Sequence, residues 1–447
     1  MSQPSPSKDH REVPYYAQDI DFDDLANRDP DWAAITKTGK ETKWIDFQNP
    51  QILLQLTKSL LKRDFHLALL ELPDDRLCPP VPIRWNYVRW IQDLLDTTSD
   101  SYSDRYEPER DVLGLDIGVG ASAIYPLLAT STRPRWRMAG TDTDQHSLDY
   151  ARKNVHANEL SKRVKLALST ADAPIIPIDK LGVDELDFVM TNPPFYSSKA
   201  DMQASYGAKT QPPSAICTGS ENEMICPGGD VGFVSRIIDE SLKLRERVQW
   251  FTAMLGLLSS LQQIIAKLKE HNVTNFAVTA LQAGHKTKRW AVGWSFQDLR
   301  PRNDVTRHGE LVHAVLPPPT AQTIDVPLMS KEWAGEKVDQ ILKDLDMRWQ
   351  WRPAMSTGVM EARENMWSRA ARRKKKFSGS KLGSKQMTMA DGGDDESEEE
   401  EPVALAVKIV CAKEVVELRW LRGTDYVLFT SFCGMLKTGL ASSGDRA

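Results

Sequence analysis

Cysteines are few and long apolar runs are missing, and these two shortages set the first limits. The five cysteines, Cys78, Cys217, Cys226, Cys411 and Cys433, are scattered with no C-x-x-C pair. That spacing offers neither a disulfide framework nor a zinc site, so no metal is expected and a reducing compartment is. The longest apolar candidate, Trp250 to Leu261, is interrupted by Thr252, Gly256 and two serines and is too short to cross a bilayer. No membrane is therefore expected as a partner. Met1-Ser-Gln-Pro-Ser-Pro has no apolar core of the kind a signal peptide needs. A large excess of one charge is also absent. The net charge is −5, yet Asp391 to Glu401 alone holds eight carboxylates, so the remainder is slightly positive and an RNA partner stays open.

A chain of 447 residues, 41% hydrophobic and 27% charged, can bury a full core and has room for two or more domains. Residues up to about Asp31 are polar, with Lys8, His10 and Arg11 as an early basic cluster, and read as a mobile arm with one amphipathic turn at Ile20–Ala26. Pro50 followed by Ile52, Leu53, Leu56 and Leu60 predicts a helix with proline at its start. A second helix is expected over Arg84–Ile91. From Val112 the pattern changes. Strands are predicted at Val112–Ile117, Arg137–Thr141, Val164–Ala167 and Leu186–Met190, with helices over Gln145–Asn158 and Ala253–Lys269. Asn275–Leu281 and Ala291–Phe296 read as a closing hairpin. Such alternation implies a doubly wound, mainly parallel sheet. Further on, strands are expected at Leu311–Leu316, Thr323–Val326, Val407–Cys411, Val415–Trp420 and Tyr426–Thr430, and a helix at Glu332–Met347. Between them Arg372-Arg-Lys-Lys-Lys376 and the acidic block read as a disordered insertion.

The chemistry concentrates in Thr191-Asn192-Pro193-Pro194-Phe195-Tyr196, directly after the strand from Leu186. Two prolines fix φ and remove two N–H groups, so the loop is stiff and offers the Asn192 amide and the Pro193 carbonyl as hydrogen-bond acceptors. An aromatic beside them offers a stacking surface for a planar amine. Upstream, Asp116-Ile-Gly118-Val-Gly120 ends the first strand, where doubly wound folds bind ligands and where Gly118 and Gly120 allow close backbone approach. Ala123 also satisfies the dinucleotide form G-x-G-x-x-A, so the glycines alone do not exclude NAD. Asp142, at the end of the second strand, is placed to bind a ribose diol, and Asp144 to cap the next helix. Together with the Asn-Pro-Pro loop these features fit amino-group methylation by S-adenosyl-L-methionine, where positioning matters more than a strong base.

Several stretches make the resemblance specific: Pro82-Ile-Arg84-Trp-Asn-Tyr87, Asp116 through Leu128, Tyr150-Ala-Arg-Lys-Asn-Val155 and Asn192-Pro-Pro-Phe195. Gly228-Gly-Asp-Val-Gly-Phe-Val-Ser-Arg-Ile-Ile238 and Arg289-Trp-Ala-Val-Gly-Trp-Ser-Phe296 extend it. Over about residues 20 to 300 the chain resembles the methyltransferase-like protein 16 family, which groups with bacterial adenine-N6 methyltransferases of large-subunit ribosomal RNA. The resemblance implies an α/β, Rossmann-like class I methyltransferase with an N-terminal helical extension and a small C-terminal α/β module. It implies N6-methylation of adenosine in U6 small nuclear RNA, and in mRNA hairpins for some members. By matching position, Arg84, Gly118, Ser122, Asp142 and Asn192 would contact the cofactor, and Asn192, Pro193, Pro194 and Phe195 would hold the adenine. The family commonly carries Glu where this chain has Asp142, and Ser169–Ala173 match too poorly for any assignment.

Lys199 and Lys209 after Phe195, and Lys286, Lys288 and Arg289 in the hairpin turn, are the expected RNA contacts. The expected division is 1–105 as arm and helical RNA-binding extension, 106–300 as methyltransferase core, and 301–447 as an auxiliary module interrupted at about 370–402. Arg372 to Lys376 reads as a nuclear-localisation signal, a non-specific RNA patch or a solvated linker; the nucleus is expected with the cytoplasm left open, and the oligomeric state is not readable. Two other readings stand at this point, a protein-glutamine methyltransferase and an RNA-binding protein without turnover.

Overall fold

The computed structural model describes residues 12–36, 45–68, 70–207, 219–284, 287–307, 311, 313–371 and 402–441. Lys209, Lys286, Arg372–Lys376, the acidic block and the basic cluster before Glu12 lie outside them. The chain divides into two compact units. The first holds the residues through Asp96, Arg105–Gln297 and Val305–Pro317, and the second Thr97–Asp104, Asp298–Asp304 and the residues from Pro318 onward.

The first unit opens with α1 (Phe22–Arg28) and α2 (Pro30–Thr36), then α3 (Pro50–Phe65) and α4 (Val81–Asp96). The sheet strands are β1 (Val112–Ile117), β2 (Trp136–Asp142), β3 (Val164–Leu168), β4 (Leu186–Thr191) and β5 (Val248–Leu255). Between and after them run α5 (Ile124–Thr132), α6 (Gln145–Ala157), α7 (Ile178–Leu181), α8 (Lys199–Gly207), α9 (Glu221–Met224), α10 (Gly229–Leu244) and α11 (Leu258–Glu270). The hairpin β6 (Phe276–Ala283) and β7 (Thr287–Trp294) completes a seven-stranded sheet of order β3-β2-β1-β4-β5-β7-β6. Strands β1 to β5 are parallel, and β7 pairs antiparallel with both β5 and β6. The short α12 (Asn303–Thr306) follows.

Alternate strand residues feed two separate cores, as the twofold period of a strand requires. Met138, Phe188, Met190, Trp250 and Met254 pack with the helices α3 to α6, while Leu115, Val189, Phe251 and Ala253 pack with α10 and α11. A sheet covered on both faces produces unbroken apolar runs. This corrects the helix expected from Ala253. Val248–Leu255 is buried at every position and forms the central β5, so the helix starts only at Leu258. Helix α10, unassigned from sequence, covers one face of that strand.

The arm before Asp31 is also corrected. Trp85 Nε1 donates to the Pro14 carbonyl at 2.9 Å, and Asn86 accepts from Tyr16 N at 2.8 Å while donating to the Tyr16 carbonyl at 3.1 Å. Leu25 and Trp32 are fully buried. Polar composition hid these anchors, because only a few residues carry the packing.

In the second unit β8 (Ala321–Asp325), β9 (Arg348–Arg352), β10 (Thr357–Ala362), β11 (Leu405–Ala412) and β12 (Val415–Arg422) form an antiparallel sheet of order β8-β12-β11-β10-β9. Helices α13 (Lys331–Leu342) and α14 (Tyr426–Ala441) supply Val338, Leu342, Phe429, Phe432 and Leu436 to its core. The segment from Thr97 is stitched to this sheet. Tyr102 Oη donates to Glu361 at 2.9 Å and Lys408 Nζ donates to Asp104 at 2.6 Å. Three expectations fail in the chain beyond Pro301. Tyr426–Thr430 begins a helix, because Phe429, Phe432, Cys433, Leu436 and Leu440 are buried at helical spacing and Asp425 accepts from Val427 N at 2.7 Å. His313–Val315 is a 3₁₀ turn, followed by Pro317-Pro318-Pro319, which have no N–H to extend a ladder. The helix expected to reach Met347 stops at Leu342, and β9 begins at Arg348.

Phe251 is fully buried, with its ring stacked on Trp294 at 5.7 Å between centroids. Phe251→Ala is expected to lose about 3–5 kcal/mol of stability. Urea unfolding followed by circular dichroism should show a lowered midpoint, and an unchanged midpoint would refute a central β5.

Candidate active site

A cavity of about 360 Å³ opens at the carboxyl ends of β1, β2 and β4. Its floor is the glycine turn after β1. Gly118 and Gly120 adopt φ of +76° and +62°, conformations that suit glycine, and the Gly118 and Val119 amides donate to the Thr141 carbonyl at 2.9 Å. Gly120 N donates to Asp142 Oδ2 at 2.9 Å, while Asp142 Oδ1 accepts from Asp144 N at 3.0 Å. Asp142 thus sits at the cavity edge with its carboxylate held by two backbone amides. Burial pushes its carboxyl pKa up, against the pull of those hydrogen bonds. Asp144 caps α6 through His146 N at 3.0 Å, as expected, and is paired with Arg76 at 2.5 Å. Ser122 Oγ accepts from Ile124 N at 3.2 Å and faces the same cavity.

Across the cavity stands the stiff loop. Thr191 Oγ1 donates to the Ile117 carbonyl at 2.9 Å, fixing the end of β4 to β1. Tyr196 N donates to the Met224 carbonyl and Cys226 N to the Tyr196 carbonyl, both at 3.0 Å, bracing the far end of the loop. The buried Arg84 reaches from α4 and donates through Nη1 to Asn192 Oδ1 at 2.8 Å and to Tyr125 Oη at 3.1 Å. A guanidinium only donates, so the Asn192 carboxamide must turn its oxygen toward Arg84. One lone pair on that oxygen remains for another donor. The Arg289 guanidinium lies 5.6 Å from the centroid of the Phe195 ring, within cation–π range. Burial, with Arg84 close by, pulls the Arg289 pKa below the usual arginine value.

The expected RNA contacts are not all gathered here. Lys288 lies 4.9 Å from the Trp290 ring, whereas Arg289 faces Phe195, so neighbouring residues of β7 point to opposite faces. Lys199 is exposed and pairs with Glu221 at 2.8 Å.

One feature beside the cavity and two of its lining lay outside the sequence assignments. Asp116 is fully buried at the end of β1, and neither carboxylate oxygen has a hydrogen-bond partner. Burial and the nearby Asp142 hold its carboxyl pKa well above the ordinary value, with Arg84 opposing. An acid inside an apolar strand was the signal for it. Glu223 Oε2 accepts from Ser220 N at 2.8 Å and Leu77 N at 3.2 Å, a capping box signalled by Ser220-x-x-Glu223. Ser169, Thr170, Ala171 and Ala173 also line the wall. A pocket lined by Asp142, Asp144 and Glu223, with the orphaned Asp116 carboxylate buried beside it, fits a cationic ligand carrying a ribose.

A doubly wound sheet with such a cavity at the carboxyl ends of its central strands defines a Rossmann-like methyltransferase fold. A family model of RNA methyltransferases matches residues 7–298. The U6 small nuclear RNA (adenine-(43)-N(6))-methyltransferase of Schizosaccharomyces pombe is 34% identical over 405 residues, covering 89% of this chain and 95% of the relative. The crystal structure of the human METTL16 catalytic domain with MAT2A 3′UTR hairpin 1 aligns at a TM-score of 0.55 and 33% identity, covering 62% of this chain and 92% of that one. The N-terminal domain of human METTL16 in complex with SAH aligns at 0.50 and 32%, covering 62% and 95%. This chain belongs to that family of RNA methyltransferases, and it spans about half the length of the mammalian relatives it matches.

Asp116→Asn removes a carboxylate that resists ionisation in the folded protein. The folded pKa is raised, so ionisation costs stability as pH rises above the unfolded value near 4. In the absence of cofactor the variant should melt higher than the parent at pH 7, and the difference should vanish below about pH 4. Thermal melts across that range would check it, and a lower melting temperature at pH 7 would refute the orphaned charge.

Proposed function

We propose that the chain transfers a methyl group from S-adenosyl-L-methionine to N6 of adenosine in structured RNA, with U6 small nuclear RNA as the first substrate and mRNA hairpins as further ones. The observation that carries this is the Arg84–Asn192 hydrogen bond at the rim of the cavity. It presets an acceptor where the amine must arrive.

The cofactor supplies an electrophilic methyl group on a positively charged sulfur. Gly118 and Gly120 let the backbone close under it, Asp142 holds the ribose diol, and Ser122 and Arg84 line its berth. Asp142 and Asp144 bring carboxylates to the cavity wall, and a bound cation would favour ionisation of the buried Asp116 behind them. The target adenosine is flipped out of its stack, as base chemistry in paired RNA demands. Asn192 Oδ1 and the Pro193 carbonyl then accept from the two N6 hydrogens, which turns the nitrogen lone pair toward the methyl group. Pro194 keeps the loop rigid, and Phe195 stacks on the ring. As the N–C bond forms the S–C bond would break, its electron pair staying on the departing thioether, and the surplus N6 proton would then leave to water. No strong base is needed, so the rate comes from alignment and exclusion of water until the transfer is made.

Arg289 stands beside Phe195 as the inner RNA contact, with Lys199, Lys209, Lys286 and Lys288 as outer phosphate contacts. Residues 1–105 serve as the helical RNA-binding extension, 106–300 as the core, and 301–447 as an auxiliary module. The nucleus is the site of action, where U6 RNA is processed.

The test is methyl transfer from labelled cofactor to total small RNA and, separately, to release-factor protein, with the RNA digested to nucleosides. N6-methyladenosine in U6 is the expected product, and label on protein glutamine alone would overturn the RNA reading. Asn192→Ala should abolish transfer while RNA affinity, read by filter binding, stays within about threefold. An equal collapse of binding would make the loop structural.

A further inference from the structure

The Phe195 ring does not stand free in its loop. It rests on the turn between β5 and α11. A methyl group built on Gly256 would lie 3.0 Å from Phe195 Cδ1 and 3.4 Å from Cε1. That is tighter than ordinary carbon contact, so only glycine leaves the ring where it is. Gly256 is not in the left-handed region of backbone space, and no strain of its own calls for glycine there. The ring is what calls for it.

The turn in its own right is held by one buried carboxylate. Asp230, in the first turn of α10, accepts from Gly256 N through Oδ2 at 3.0 Å and from Ser260 Oγ through Oδ1 at 2.9 Å. The residue before it, Gly229, comes against the same loop from below: a methyl group there would lie 2.9 Å from the Phe195 carbonyl oxygen. The start of α10 therefore touches the backbone of the stiff loop and, through Asp230, fixes the surface under its ring.

We infer that Asp230 is a positioning residue for the methyl transfer, acting through Gly256 to seat the Phe195 ring at the height the target adenine must meet. This rests on the reading that Phe195 stacks on the adenine. Neither Asp230 nor Gly256 lies in the cavity lining, and neither touches the reacting atoms. Displacing an aligned group by a fraction of an ångström to one ångström reduces the rate without removing any contact to cofactor or phosphate.

The experiment uses the full chain, labelled S-adenosyl-L-methionine and a U6 small nuclear RNA transcript, at saturating concentrations of both and under single turnover. Gly256→Ala keeps the amide and every hydrogen bond of the turn, and it should lower the rate on the order of tenfold to a hundredfold. Dissociation constants for RNA and cofactor should stay within about twofold. Asp230→Ala should behave alike, and Asp230→Asn, which can still accept one of the two hydrogen bonds, should restore part of the rate. In the background of Phe195→Ala, Gly256→Ala should cost nothing more, because its effect passes through the ring. Two results overturn the inference: unchanged rates in both Gly256→Ala and Asp230→Ala while Phe195→Ala is slow, or full additivity of Gly256→Ala with Phe195→Ala. A normal rate in Phe195→Ala alone would instead remove the stacking reading, and the seat with it.

Discussion

The hydrogen bond from Arg84 to Asn192 is the constraint on which the site depends. It joins residues 108 positions apart and ties α4 to the loop after β4. The donor is buried and cationic, which makes the bond stronger than one between neutral groups and fixes the direction of the amide. Everything on the reaction side follows from that direction. The prolines limit how the loop can bend, Thr191 pins its root to β1, and Arg84 chooses which face of Asn192 is presented. The long N-terminal approach to the sheet gains a purpose as well, since Pro14 and Tyr16 pack on Trp85 and Asn86, the residues next to Arg84.

Electrostatics divides the pocket in two. One wall carries Asp142 and Glu223, with Asp116 buried behind it, all with carboxyl pKa values pushed up by burial. Across the cavity stand Arg84, bonded to Asn192, and Arg289 beside the Phe195 ring. A bound cation would favour ionisation of those acids in one half, and the guanidiniums favour an anionic chain in the other. That order suits a reaction in which a positively charged donor meets a polyanion.

Sequence was most informative where one residue type does one local task. The glycine turn, the Asp144 cap and the stiff Asn-Pro-Pro-Phe loop were all readable, because φ preferences, capping and proline stiffness act over a few residues. β5 was not, since a strand buried on both faces loses its alternation and resembles a buried helix. α14 was missed for the converse reason: five residues rich in β-formers hid a sixteen-residue helix whose buried positions show only over the longer window. The contacts that shape the site also lay beyond sequence. Arg84 with Asn192, Arg289 with Phe195, and Asp230 with Gly256 are pairs brought together by the sheet, and no local pattern announces them.

The path of the chain through its two units carries a practical consequence. It passes between them five times, because Thr97–Asp104 and Asp298–Asp304 belong to the second unit although they interrupt the first. Asp104 engages Lys408 and Arg419, and Arg300 sits over Trp420 and donates to the Gly423 carbonyl at 2.8 Å. A fragment ending near residue 300 would therefore keep two short pieces of the other unit while losing the strands that satisfy them. Asp104 would be left without its cations and Arg300 without its carbonyl. A cut between its halves would therefore leave neither unit whole.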